Sequence, residues 1–259
     1  MISELKILTG KRDNSTYLKE CFCTRPFKVA NVREERSDPV LRLMMMSSSP
    51  GMLDKDHYRM EITVAAGTDL HLQTQAYQRL FNMETGATQE MEVHLQPGST
   101  FTFLPHPLVP HEKAAYTGYT NLYLADNCRL VWGEIITCGR KLNGEVFLFK
   151  KLHSITRVFS GTQLLLMDNL LMQPGVTSFQ AMGWLEEYTH QATFLYFDTC
   201  EEASITEITD SLHRYLEQQP GILAGVTRTE GNGIMVRMLG HSGEQLFECQ
   251  QQLAKHLPV

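Results

Sequence analysis

The chain has 259 residues, 42% of them apolar, with 23 Lys and Arg against 29 Asp and Glu and a formal net charge of −6. That length supports one large domain, or one domain with a small appendix, around a sizeable core. The acidic balance argues against a general nucleic-acid or anionic-membrane surface, either of which needs a basic patch. No apolar run approaches the ~18 residues of a spanning helix, and the N-terminus lacks a charged-then-apolar signal layout. A cytoplasmic protein that binds neither nucleic acid nor membrane is expected. Six cysteines, none in Cys-x-x-Cys spacing, fit reduced thiols better than a disulfide framework.

In chain order, residues 3–9 and 16–23 read as short strands. Arg25-Pro26-Phe27 interrupts them, because Pro has no amide hydrogen for a ladder. Residues 33–39 form a charged loop, and Val40–Met46 a nearly continuous apolar strand. Residues 60–132 then state one pattern three times, beginning at Met60, Met91 and Thr120. In each copy an alternating strand, a turn and a second alternating strand follow one another. With Gly67, Gly98 and Asn127 aligned, 31 and then 29 residues apart, the apolar positions coincide. Before the turn they are Ile62 and Val64, Val93 and Leu95, Leu122 and Leu124. After it they are Leu70 and Leu72, Phe101 and Phe103, Leu130 and Trp132. A hairpin repeated at ~30 residues is the signature of a stacked array.

Strands are then expected at 146–152, 155–159, 163–167 and 169–172, with Pro174-Gly175 closing a hairpin, and at 191–198. The texture changes near residue 199. A helix over 203–219 places Ile205, Ile208, Leu212, Tyr215 and Leu216 on one face. Strands at 222–229 and 233–239 flank a Glu-Gly-Asn-Gly turn. A last helix over 242–256 has Ser242 as N-cap, with Gln245 three residues on. The expected fold is mainly β: a superhelical, solenoid-like array of hairpins over 1–190. A β-α-β-β-α portion over 191–259 carries the only two helices.

The chemistry is sparse. There is no Walker loop, no Gly-x-Ser-x-Gly elbow and no His-Glu-x-x-His. His106 and His111 are five apart and could share a metal, or could be surface residues on a proline-stiffened crossover. Cys21 and Cys23 share one side of a strand, as a soft-metal pair or as two small buried hydrophobes. His71 and His94 fall at solvent-facing positions. Glu134 follows the inward Trp132 by two and should also point inward, where a carboxylate is costly unless paired or solvated. Arg140 is the obvious partner and Glu145 could extend the network. Two readings stay open: a buried Arg–carboxylate clamp, or a polar interior that lets a cation pass. Asp56 is a turn residue or a ligand at the mouth of such a passage.

Five segments carry a resemblance. They are Phe22-Cys-Thr-Arg-Pro-Phe-Lys28, Ser49-Pro-Gly-Met-Leu-Asp-Lys-Asp56, Leu72-Gln-Thr-Gln-Ala76, Phe103-Leu-Pro-His-Pro-Leu-Val-Pro110, and the Glu134, Gly139-Arg140, Gly144-Glu145, Phe147 set. In register over residues ~5–195, they resemble the UreD/UreH family of urease accessory proteins, the UreH-type members in particular. The resemblance implies a β-strand superhelix with two helices and a non-enzymatic chaperone. It implies a UreF-type partner, a UreG-type GTPase recruited through it, and apo-urease as the recipient of nickel in transit, with no tightly bound cofactor. It matches Asp56, Gln75, Glu134, Arg140 and Glu145 to the family's motif positions. Lys55 stands where the family usually has Gly and is less free to take a positive φ. Leu246, Phe247 and Leu253 of the last helix are candidate partner contacts. A plain adaptor without metal passage, and an unrecognised enzyme using Glu134, Arg140 and Glu145, are the alternatives.

Overall fold

A computed structural model of the chain describes residues 2–35, 38–200 and 204–258. Arg36 and Ser37 of the expected loop, and Ala203 at the start of the first expected helix, lie outside the described residues. Strands β1 (Ile2–Arg12) and β2 (Ser15–Cys23) pair antiparallel, as do β3 (Phe27–Asn31) and β4 (Leu41–Ser47). β3 was not expected. It begins directly after Pro26, where the missing amide hydrogen costs no ladder bond, and it lies at a sheet edge.

The triplicate supplies β5 (His57–Val64) and β6 (Asp69–Thr74). After the short β7 (Gln78–Leu80) come β8 (Ala87–Leu95) and β9 (Thr100–Phe103). After the short β10 (Leu108–Pro110) come β11 (Ala115–Leu124) and β12 (Arg129–Thr137). The two arms of a copy do not form a hairpin. Each first arm pairs in parallel with the next first arm, β5 with β8 and β8 with β11. Each second arm pairs with the next second arm, β6 with β9 and β9 with β12. A copy is therefore an arch that spans two sheets.

The turn alignment holds in the backbone: Gly67, Gly98 and Asn127 have φ of 63°, 71° and 57°. Successive turns are bonded, Gly67 N donating to Pro97 O at 3.0 Å and Gly98 N to Asp126 O at 3.2 Å. The next residue is small and buried in every copy: Thr68, Ser99 and Cys128. All twelve aligned apolar residues are buried, and they form one cluster with both sheets contributing. Register explains this, since Ile62, Val93 and Leu122 are cross-strand partners, as are Leu70, Phe101 and Leu130.

β13 (Lys151–Ser160) extends the first sheet in parallel, and β14 (Gln163–Met172) returns antiparallel at its edge. The expected strand at 146–152 is instead a loop up to Lys150, with Lys151 and Leu152 opening β13, and the two expected strands at 163–172 are one. Residues around Pro174-Gly175 form consecutive turns, and the chain crosses to the second sheet as β15 (His190–Asp198), antiparallel to β12. Then follow α1 (Ile205–Leu216), β16 (Leu223–Thr229), β17 (Gly233–Gly240) and α2 (Gly243–Lys255). The expected N-cap is present: Ser242 Oγ accepts from Gln245 N.

The first sheet has the order β14-β13-β11-β8-β5-β1-β2, and the second runs β16-β17-β15-β12-β9-β6-β4-β3. Both are mixed and open, with parallel pairing in the middle and antiparallel strands at each end. Both α-helices of the described residues cover the outer face of the second sheet. Ile208, Leu212, Leu246 and Leu253 join Val131, Ile135, Phe194, Tyr196 and Val236 in a second cluster there. β12 and β15 are therefore buried on both faces.

Candidate functional site

Near the turns, the space between the sheets is dry and apolar. At the other end of the arches it changes character along the stack. One inward row of successive strands in the first sheet is Met60, Met91, Thr120, Thr156 and Asp168, in direct cross-strand register. On the facing sheet, Glu134, Thr193 and Arg237 are likewise in register across β12, β15 and β17. The interior thus runs from thioethers at the first copy to hydroxyls and charges at the last.

A cavity of about 60 Å3 follows this lane as far as Glu134 and Ser154. It shares Met45, Met60, Thr74, Gln78, Gln89 and His106 with a wider vestibule of about 510 Å3, which is bordered by residues 49–52 and 74–79. Tight backbone packing frames the entrance. A Cβ on Gly51 would lie 2.3 Å from Arg79 O. Gln78 spans the join, donating to Gln89 Oε1 at 2.9 Å and to Met52 Sδ at 3.0 Å.

Glu134 points inward, as alternation from Trp132 requires. Its partner is Ser154 of β13, whose hydroxyl donates to Oε1 at 2.6 Å. Burial lifts the carboxyl pKa to about 7; the Ser154 bond opposes this, Asp168 adds to it, and Arg237 offsets part. Protein surrounds the side chain, yet one face of it is accessible from the cavity. Tyr116 is buried alongside, its phenol raised by burial and then by the Glu134 charge. Gly118 makes room for that ring, since a Cβ there would meet Tyr116 Oη at 2.8 Å. Behind Glu134, Gly133 lets α2 approach: a Cβ would lie 2.6 Å from Gln250 Oε1. Gln250 Nε2 donates to the carbonyls of Thr193 at 2.9 Å and Glu134 at 3.4 Å, so helix α2 fixes the backbone of the lane.

Arg140 is not the partner of Glu134. It is exposed and forms an ion pair with Glu145, Nε donating to Oε2 at 2.9 Å. The pair closes a surface loop that also takes Glu112 N, and the guanidinium holds Glu145 below the usual carboxylate range. Glu134, Arg140 and Glu145 therefore do not form one network. Asp56 is a turn residue: Oδ2 accepts from Leu53 N at 2.8 Å, and Lys55 beside it adopts a φ of 67°. Tyr58, which reaches Asp56 Oδ2 at 3.5 Å, lines the vestibule. Gln75 is exposed at the vestibule rim.

His106 and His111 do not converge. His106 Nδ1 bonds Thr74 Oγ1 at 2.9 Å and its ring stacks on Phe247 at 4.4 Å. His111 is buried edge-on against Phe81 at 4.8 Å. Among the described residues no group of three or more His, Cys, Asp or Glu is arranged to hold a metal ion. Cys21 and Cys23 are exposed rather than buried, because β2 is an edge strand. His94 is partly exposed and stacks on Tyr123, and His71 is half-buried and bonded to Arg42. Leu246 and Leu253 are wholly buried under the second sheet and offer nothing to a partner; Phe247 is half-buried against His106 of the vestibule wall.

Sequence reasoning missed Asp168 and Arg237. The signal was present in both strands. Arg237 is the one charge in Gly233–Gly240, otherwise apolar on both faces, and Asp168 breaks the apolar run of β14.

A family model described as UreD urease accessory protein matches residues 2–258. The chain belongs to the UreD family. Curated relatives agree along the whole length. The chain is 44% identical over 257 residues to the "Urease accessory protein UreD" of Flavobacterium johnsoniae, covering 99% of this chain and 92% of that protein. It is 31% identical to the protein of the same name from Acetivibrio thermocellus, covering 94% and 92%. Against the Haemophilus influenzae strain 86-028NP protein identity is 30%, with 99% of each covered. In this UreD-family chain the motif residues of the resemblance divide between two places. Glu134 is inside the cavity, while Arg140 is exposed and Glu145 lies beneath it in a surface loop, its side chain 12% exposed. No helix among the described residues is long and apolar enough to cross a membrane.

Proposed function

We propose that this UreD-family chain is a non-enzymatic scaffold and metallochaperone for urease maturation. In this reading it works in the cytoplasm with a UreF-type partner and, through it, a UreG-type GTPase. It docks on apo-urease, and nickel passes through it without being held as a resident cofactor. The observation that carries the metal part is the lane itself: a cavity that shares its lining with a surface vestibule and ends on a carboxylate that only one hydroxyl bonds. A buried carboxylate with one partner is costly in a dry core and useful beside a passing cation. Oxygen donors of Thr120, Ser154 and Glu134 suit a divalent ion held loosely enough to leave.

The plain adaptor is the second reading. It is favoured by the absence, among the described residues, of any three-ligand metal cluster. Glu134→Gln separates the two. The accessory complex should assemble as in the wild type, with urease receiving less nickel. Intact complexes with unchanged loading would favour the adaptor. Loss of the complex would show that Glu134 is a structural group.

A further inference from the structure

The cavity stops at Glu134 and Ser154, and the register of charged and hydroxyl side chains continues past it. Arg237 lies two strands away in exact cross-strand sequence Glu134, Thr193, Arg237 on the second sheet. Its guanidinium reaches across to the first sheet, donating to Asp168 Oδ1 at 2.8 Å, and sideways to Thr193 Oγ1 at 2.9 Å. The side chains of Arg237 and Asp168 are 32% and 16% exposed, so this pair stands between Glu134 and the surface. The charges acting on Glu134 are those of Asp168 and Arg237. The guanidinium thus pairs directly with Asp168 of the facing sheet and lies two strands from Glu134, on which its charge acts without an ion pair or hydrogen bond among the described residues.

We propose that Arg237 is a tethered cation that closes this end of the lane in the free protein, standing where a divalent ion would otherwise bind between Asp168 and Glu134. The inference rests on the passage reading above. Three features point to closure rather than to a simple surface ion pair. The fork of the guanidinium is fixed by two partners at once, which a single ammonium would not manage with the same geometry. The surrounding donors are oxygens: the hydroxyls of Thr156, Thr193 and Ser154 and the two carboxylates, a set suited to hard or borderline divalent ions. A fixed positive charge on the route also repels a cation until Arg237 is drawn aside. Opening therefore requires the guanidinium to exchange Asp168 for another acceptor, as a docked partner carrying a carboxylate at this edge would provide.

The test is titration of the isolated full chain with nickel or cobalt alone, by calorimetry. Arg237→Gln should bind one ion per chain at least ~10-fold more tightly than the wild type, a difference of about 1.4 kcal/mol. The Asp168→Asn, Arg237→Gln double variant should lose that site. A folded Arg237→Gln protein that binds no better than the wild type, or whose extra site survives Asp168→Asn, overturns the proposal. A second measurement holds if Arg237→Gln fails to fold. Asp168→Asn removes a lane carboxylate and leaves the guanidinium beside Glu134, so nickel loading of urease by an intact complex should fall at least as far as with Glu134→Gln. Normal loading with Asp168→Asn, when Glu134→Gln lowers it, overturns the closure and leaves the passage standing. Normal loading with both variants overturns the passage.

Discussion

Ser154 and Glu134 tie the two sheets together across the cavity, the hydroxyl of β13 donating at 2.6 Å to the carboxylate of β12. No other hydrogen bond to that carboxylate is present among the described residues. Ser154→Ala should therefore destabilise the fold by about 1–2 kcal/mol at pH 8, where Glu134 is ionised. The loss should shrink at pH 5, where the carboxyl is mostly protonated and needs the donor less. Urea unfolding at the two pH values checks this; an equal loss at both would show that the bond is irrelevant to the charged form.

The Glu134 carboxyl, raised to about 7 by burial, makes a signed prediction. The folded value lies above the unfolded one of about 4.3, so the folded state binds the proton more tightly. The native state loses stability as pH rises from about 4.3 to about 7, and the penalty is then constant. Glu134→Gln lacks this dependence. Relative to wild type it should gain on the order of 2 kcal/mol across that window, less than the full shift implies because one face of the carboxylate meets the cavity. A stability difference that is flat between pH 4.5 and pH 8 would place the carboxylate in ordinary solvent.

The turn stack makes a test that involves no function. Gly98 has a φ of 71°, and a Cβ there would sit 3.8 Å from the Gly67 backbone. Gly98→Ala should cost about 1 kcal/mol, chiefly from the left-handed backbone. In a chain of this size that lowers the melting temperature by about 2–4 °C. Asn127 already holds the third turn at a φ of 57°, and Asn127→Gly should change the melting temperature far less. Equal effects at the two turns would contradict their equivalence.

Arg140 and Glu145 define a negative control. Their pair closes a surface loop and lines neither the cavity nor the vestibule. Glu145→Gln weakens the Arg140 pair but keeps an oxygen for Glu112 N, so the melting temperature should fall by no more than about 2–4 °C. The variant should leave nickel loading unchanged. A loading defect with an intact fold would move the functional site to this loop.

Much of the fold was legible in the sequence, because alternation fixes which residues face inward whatever the pairing. The twelve aligned apolar residues and Glu134 were placed correctly on that ground. Pairing was not legible: a strand-turn-strand unit has the same period of two whether its arms bond each other or the next copy. Local spacing points to Arg140, six residues away, as the partner of Glu134, whereas the facing sheet brings Ser154 to it and antiparallel pairing through Thr193 sets Arg237 two strands off. Cys21 and Cys23 were misread because nothing local marks β2 as an edge. Leu246 and Leu253 belong to the apolar stripe of an amphipathic helix, which a helix covering a sheet spends on the core.

The most direct measurement is the nickel content of urease matured by an accessory complex carrying Glu134→Gln, with complex assembly verified in the same preparation. A passage through the lane predicts an assembled complex and nickel per urease well below the wild-type value. An assembled complex that delivers the wild-type amount of nickel would contradict it.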